Sequence, residues 1–360
     1  MRLISKIFPH DHKENHLKSL DGLRGLAVLL VLLSHSSNRG LFIHEYLNFY
    51  KTGLIGVYLF FVLSAYLLDR QIAIALISGK SSIMYWLNYS LRRFLRIYPL
   101  FILSVLLHYF VTKLGYQTDI STLKEVLLHL LLLDGQSVFW SIPVEFKYYF
   151  ISPFIMLFCH KALKWNFYLI LLGLIAATIG SILLQYVCNF YTISTFRYLP
   201  IFFIGTFIAI VELLKSDWSV FQFENKGVVT LIGGISFFII LFTFPNYFTR
   251  ITAQQVNFQH WGFYLPYSIL WGSILLLSKY GLVGVKSLLE FLPLRFLGVI
   301  SYSVYLFHIP VLVVLTSDQI NTSKSIQFYL FFIITISLST LTYLFIEIPL
   351  SRIKLNLKSN

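Results

Sequence analysis

Charge is scarce in this 360-residue chain: Asp, Glu, Lys and Arg make up 12% of it, about half the roughly 25% of a soluble domain. A surface so poor in charge excludes a water-facing globule. Cysteine is almost absent. Cys159 and Cys188 fall at opposite ends of one expected apolar span, so they should not pair, and neither suggests a disulfide framework or a metal site. No G-x-G-x-x-G, Walker A, H-E-x-x-H or paired-cysteine signature occurs, which leaves no phosphate-cradling loop and no zinc-hydrolase site to read. Internal repeats, low-complexity tracts and a second soluble domain are lacking too. The start, MRLISKIFPHDHKENHLK, is long and polar, and the run from Leu20 has no A-x-A-like exit, so no cleavable signal peptide is expected.

What the chain has instead is apolar mass. Hydrophobic residues reach 57% and aromatics 18%, with 35 Phe and 23 Tyr, as suits rings facing lipid and its interfaces. A membrane span needs about 20 mostly apolar residues. Ten such stretches are expected, near 20–38, 53–77, 92–112, 140–159, 166–187, 196–213, 227–244, 261–278, 296–316 and 326–347. The stretch 121–133, STLKEVLLHLLLL, is too short to cross and reads as an interfacial or re-entrant helix. The expected fold is therefore all-α, a polytopic integral membrane bundle of about ten transmembrane helices. It divides into an N-terminal tail (1–19), a membrane domain (20–350) and a C-terminal tail (351–360).

The net charge is +13. Nucleic-acid binding would need Lys and Arg gathered on a wet face, but here they stand at the ends of apolar runs. Span ends and loops on the side of the N-terminus hold 20 Lys and Arg, those on the other side hold 7, and Lys147 lies within a span. That asymmetry puts both termini in the cytoplasm.

Four clusters could carry chemistry. The first span, SLDGLRGLAVLLVLLSHSSNRG, holds Arg24 and His35, eleven residues apart. Three turns plus about 20° separate them, so both project from one face, about 16 Å apart along the axis. His35 within a span is costly and thus a functional candidate, and a neutral imidazole can serve as general base. Ser34, Ser36 and Ser37 adjoin it, but helix neighbours do not face each other, so a local Ser–His pair is not expected. The second cluster, LRRFLRIYP at the start of the third span, puts Arg93 and Arg96 on one face with Arg92 about 100° round. Positive-inside anchoring explains some of these arginines; bidentate binding of a phosphorylated cytoplasmic ligand is the functional alternative.

The third cluster, FWSIPVEFKYYF, brings Glu145 and Lys147 into an apolar setting, too close in sequence to face each other. Glu145 could orient a histidine at similar depth or belong to a structural ion pair. Trp140 fits an interfacial belt, and with Ser141 it also enters the set of candidate acceptor contacts. The fourth, LGVISYSVYLFHIPV, carries Ser301, Tyr302, Tyr305 and His308. Helix–helix hydrogen bonding explains them, while Tyr305 and His308 could instead line an acceptor cavity. His108 and His129 look interfacial. Gly22, Gly25, Gly53 and Gly56 permit close helix approach.

Taken in order, these stretches resemble the acyltransferase-3 family of membrane acyltransferases. SLDGLRGLAVLLVLLSH resembles its opening signature, GVYLFFVLSAYLL its second helix, RRFLRIYPL its R-x-x-R segment, WSIPVEFKYYF its W-S-x-x-x-E segment and SYSVYLFHIP its late helix, over about 20–350. The resemblance implies acyl, most often acetyl, transfer from cytoplasmic acyl-CoA to a hydroxyl of a surface or lipid-linked glycan such as O-antigen, in the bacterial inner membrane. The family's R-x10-H pair falls on Arg24 and His35, its R-x-x-R on Arg93 and Arg96, and its acid on Glu145. The donor is a substrate, so no permanently bound cofactor and no metal are expected. Some relatives carry an additional SGNH-type hydrolase domain. This chain ends about ten residues past its last expected span, so it would complete the transfer alone or pass the acyl group to a partner.

The resulting expectation assigns CoA phosphates to Arg24, Arg93 and Arg96. It threads the pantetheine arm along the Arg24–His35 face, makes His35 general base or transient acyl carrier, and gives Glu145 the task of orienting it. Two rivals remain open. One is a sugar, lipid or proton-coupled transporter, although transporters of that kind often show two similar halves and none is seen. The other is a non-catalytic component of a polysaccharide assembly complex.

Overall fold

The computed structural model describes residues 8, 17–188, 191–214, 225–255 and 261–355. Most of the expected N-terminal tail, half of the C-terminal tail and parts of the connections 214–226 and 245–260 lie outside these. The described chain is helical, without strands. In order, the helices are α1 (Lys18–Asn38), α2 (Gly53–Ile77), α3 (Ile83–Lys113), α4 (Leu123–Leu130), α5 (Ser141–Lys161), α6 (Phe167–Cys188), α7 (Thr195–Leu213), α8 (Lys226–Phe242), α9 (Pro245–Thr252), α10 (Tyr264–Tyr280), α11 (Val283–Leu289), α12 (Leu292–Val299), α13 (Ser301–Leu315), α14 (Lys324–Thr342) and α15 (Ile348–Ser351). Seven helices are long and apolar enough to cross a membrane, and three bent pairs bring the number to ten. The chain is an all-α, polytopic membrane protein.

Three details differ from the sequence expectation. The helix that holds the third span starts at Ile83, nine residues before that span, so Arg92, Arg93 and Arg96 stand inside a helix. Its first turns, IMYWLNYS, are too polar to register as an apolar run. The ninth span is two helices, α12 and α13, meeting at 79°. No Pro stands at the break at Ile300, and Gly298 two residues before it does not interrupt the apolar run, so periodicity could not show it. Lastly, the expected spans 227–244 and 261–278 are α8 and α10, and each is followed by a short helix in what was expected to be a connection: α9 bent by 79° from α8 and α11 by 111° from α10. The stretch 121–133 forms only the eight-residue α4, about 12 Å long against a hydrocarbon core of about 30 Å. Its start is a capping box: the N–H groups of Ser121 and Thr122 donate to Glu125, and the Glu125 N–H donates to Thr122 Oγ1. Those bonds hold the Glu125 carboxyl below its usual range.

Two compact units can be told apart. The first comprises 1–60, 103–127 and 223–345. In it α1 packs against α12 so closely that a Cβ on Gly25 would lie 1.9 Å from Leu294 O, and one on Gly298 1.7 Å from Asp21 O. Gly22 meets Leu289 O in the same way. Arg295, on α12, is 6% exposed and lies 3.9 Å from Asp21, so this cation is built into the helix contact. Trp271 on α10 is fully buried and donates to Ile55 O at 2.9 Å.

The second unit comprises 61–102, 128–222 and 346–360. At its centre Asp69 of α2 is 0% exposed. It accepts from Tyr148 (2.7 Å), Ser152 and Thr206, so the carboxylate is enclosed by hydroxyl donors, as a charge away from water requires. Glu212 takes Tyr66 at 2.6 Å and Arg70 at 3.4 Å. The helix α6 exposes Leu169, Leu172, Ile175, Ile179 and Leu183, a surface suited only to lipid. Cys159 and Cys188 are both free thiols.

Proline breaks the backbone ladder, because it lacks an N–H for the carbonyl four residues earlier. At three such breaks a hydroxyl from another helix replaces it. Tyr89 donates to Tyr149 O (2.6 Å), four before Pro153. Ser104 donates to Leu306 O (2.9 Å), four before Pro310. Ser181 donates to Phe196 O, four before Pro200.

Tyr89→Phe should lower the stability of the detergent-purified chain by about 0.5–2 kcal/mol, and adding Pro153→Ala should recover most of it. Equal thermal-shift midpoints for parent and Tyr89→Phe would refute this account. Gly25→Val should cost about 1–3 kcal/mol or more through overpacking and lower folded yield in size-exclusion chromatography. Gly173→Ala, where nothing lies within 4 Å, should leave the yield unchanged.

Candidate functional site

In the first unit, α1 carries Arg24 and His35, both half-buried. Their shared face passes through Val28 and Val31, which are 0% and 1% exposed. That stripe is therefore closed by packing, and the expected threading path along it is not open in this conformation. The serines beside His35 serve the backbone. Ser36 donates to Leu33 O and Ser37 accepts from Phe49 N, each at 3.0 Å, as the absence of a local Ser–His pair predicts.

What faces His35 comes from α13. The ring of His308 lies 5.0 Å from that of His35, tilted by 57°. His308 is 0% exposed, and the Tyr305 ring, itself 6% exposed, lies 6.0 Å from it. The fields of Arg39 and Asp119 also reach His35, and those of His35 and His108 reach His308. His108 is fully buried, as is His129, which accepts from Gln136 N. Protein encloses both side chains. An imidazole in a long apolar run, FILSVLLHYFVT, was the available signal for His108.

In the second unit, Arg93 donates to Gln71 Oε1 at 3.0 Å, and its guanidinium lies over the rings of Tyr89 (5.6 Å) and Tyr149 (5.4 Å). Stacking of this kind fixes a guanidinium plane while leaving edge donors for an anion. Arg96, one turn on, is exposed. Glu145 accepts on Oε1 from Ser64 and from Tyr149 (2.7 Å). It does not pair with Lys147, in line with their spacing. Tyr149 thus joins the expected acid to the expected arginine. Trp140 packs edge-on to Phe61 (5.8 Å) and against Tyr198 (5.0 Å), inside an aromatic cluster. Ser141, 6% exposed, opens α5. The buried Asp69 was overlooked; an acid inside LSAYLLDRQIAIALI was its signal. Among the described residues no group of three or more His, Cys, Asp or Glu could hold a metal ion.

The chain is 27% identical to the peptidoglycan O-acetyltransferase OatA of Listeria monocytogenes over 95% of its own length and 57% of that protein's. It is 25% identical to the O-acetyltransferase OatA of Staphylococcus aureus, covering 95% of itself and 58% of the relative. The chain thus spans less than two thirds of the length of these relatives. No solved structure matches it. The profile of the acyltransferase domain matches residues 17–344, and with nearly the whole chain covered, the protein belongs to the acyltransferase-3 family.

Proposed function

We propose that the chain is a membrane O-acyltransferase that moves an acyl group, acetyl in the first instance, from cytoplasmic acetyl-CoA to a hydroxyl of a cell-surface glycan. The observation that carries this reading is His35: a half-buried imidazole inside a membrane helix, set beside a second imidazole, in a member of an acyltransferase family. As general base, His35 takes the proton of the acceptor hydroxyl while its oxygen attacks the thioester carbonyl. Arg24, Arg93 and Arg96 serve the CoA phosphates, for which guanidinium forks are the fitting donors. Arg93 is the best prepared of them, because Gln71 and two tyrosines already hold its plane. Glu145 balances charge during transfer. Trp140, Ser141 and Tyr305 are the remaining candidates for contact with the acceptor.

For the acceptor, the name of the Listeria monocytogenes relative favours peptidoglycan over the O-antigen suggested by sequence resemblance. The charge asymmetry supports placing both termini in the cytoplasm, and the family resemblance supports a bacterial inner membrane. Because Val28 and Val31 close the face between Arg24 and His35, a donor arm following that face must part their packing.

His35→Ala should abolish alkali-labile [14C]acetate in the envelope of cells fed labelled acetyl-CoA after permeabilisation, with the variant still present in the membrane. Near-parental labelling would remove His35 from the mechanism. Arg93→Ala should raise the KM for acetyl-CoA about tenfold or more, the scale of one lost charged contact. An effect confined to kcat would argue against phosphate binding.

A further inference from the structure

His308 sits on a backbone that decides its tautomer. Its Nδ1 lies 2.8 Å from Tyr305 O and 3.2 Å from Val304 O. A carbonyl oxygen only accepts, so Nδ1 carries the hydrogen and donates. In a neutral imidazole the lone pair is then on Nε2. That atom is buried and has no hydrogen-bond partner among the described residues. An open acceptor in a dry interior is costly and calls for a donor.

The turn that holds the ring is anchored as well. Pro310, two residues on, frees Leu306 O, and Ser104 of α3 takes it at 2.9 Å. His308 is thus fixed both by its own helix and by a neighbour.

The nearest polar ring is His35, 5.0 Å away between centres. In this conformation Nε2 of His308 makes no bond to His35; because each ring nitrogen lies about 1.1 Å from its ring centre, turning the His35 ring at this spacing brings two nitrogens to about 3 Å, a hydrogen-bond distance.

We propose that His308 is the positioning residue of His35: Nε2 of His308 accepts a ring N–H of His35, fixes its tautomer, and leaves the lone pair on its other nitrogen for the acceptor hydroxyl. This rests on reading His35 as the general base. In the reaction the acceptor oxygen bonds to the acyl carbon, the C–S bond of the thioester breaks, and the hydroxyl proton goes to His35 and then to the departing thiolate. His308 touches no substrate. Its bond to His35 strengthens when His35 becomes an imidazolium, because charged hydrogen bonds exceed neutral ones. The help is therefore given in the transition state and belongs to kcat, not to donor binding.

Two substitutions separate this role from packing. In His308→Asn the amide reaches the Nδ1 position and leaves that of Nε2 empty. In His308→Gln the side-chain oxygen reaches the Nε2 position. The full chain is assayed in permeabilised cells by titrating [14C]acetyl-CoA and counting alkali-labile acetate in the envelope, at matched protein level. The Asn variant should lose about 100-fold in maximal rate with KM for acetyl-CoA within about twofold, and the Gln variant should retain at least about tenfold more than Asn. A parental rate for Asn, equal losses in both, or a change confined to KM overturns the proposal. If the Asn variant does not accumulate, Gln decides: a rate above about a tenth of the parent's is expected, and one below it overturns the proposal. His35→Ala run alongside keeps the two ideas apart. Activity in His35→Ala sinks the general-base reading itself, whereas an inactive His35→Ala with a fully active His308→Asn sinks only the role of His308.

Discussion

The constraint on which everything else hangs is that hydrocarbon offers a backbone no hydrogen bonds. A helix solves this alone, and proline undoes the solution at one carbonyl. This protein uses prolines inside its spans and then supplies the missing donors from elsewhere: the phenol of Tyr89 and the hydroxyls of Ser104 and Ser181. The carbonyls that these prolines leave open are thus tied to specific neighbours, so packing and backbone satisfaction are one problem. His308 stands two residues before such a proline, and its position inherits that tie.

The same accounting governs the ionisable groups. Asp21 meets Arg295, Asp69 is ringed by three hydroxyls, Glu212 has Tyr66 and Arg70, and Glu145 has Ser64 and Tyr149. A carboxylate in each of these places already has its donors, and Glu145 holds its own through Tyr149, which also stacks on Arg93. The histidine pair differs: the Nε2 acceptor of His308 is left open. Groups retained in a membrane despite an unmet requirement are where function is to be sought.

Much of this could be read from composition and spacing. Ten apolar stretches were enough to locate the spans, because length and hydropathy are what a bilayer selects. The face shared by Arg24 and His35 followed from helical geometry alone. The bends escaped detection: at Ile300 no proline announces a break, and the close seating of α12 on α1 through Gly298 is a tertiary contact that spacing does not show. The early start of α3 escaped because a hydropathy window ignores polar helical turns. Within the site, the spacing identified His308 but not its partner, since contact between α1 and α13 is a tertiary fact. It also showed which residues share the Arg24–His35 face without showing that Val28 and Val31 seal it.

The proline-freed carbonyls have a bearing on biogenesis. In each pair the donating helix precedes the proline helix in the chain: α3 before α5, α3 before α13, and α6 before α7. A polypeptide made from its N-terminus therefore has the hydroxyl in place before the defective helix leaves the translocon. Each late-arriving span meets a waiting docking point, and the order of synthesis itself screens the open carbonyls from lipid.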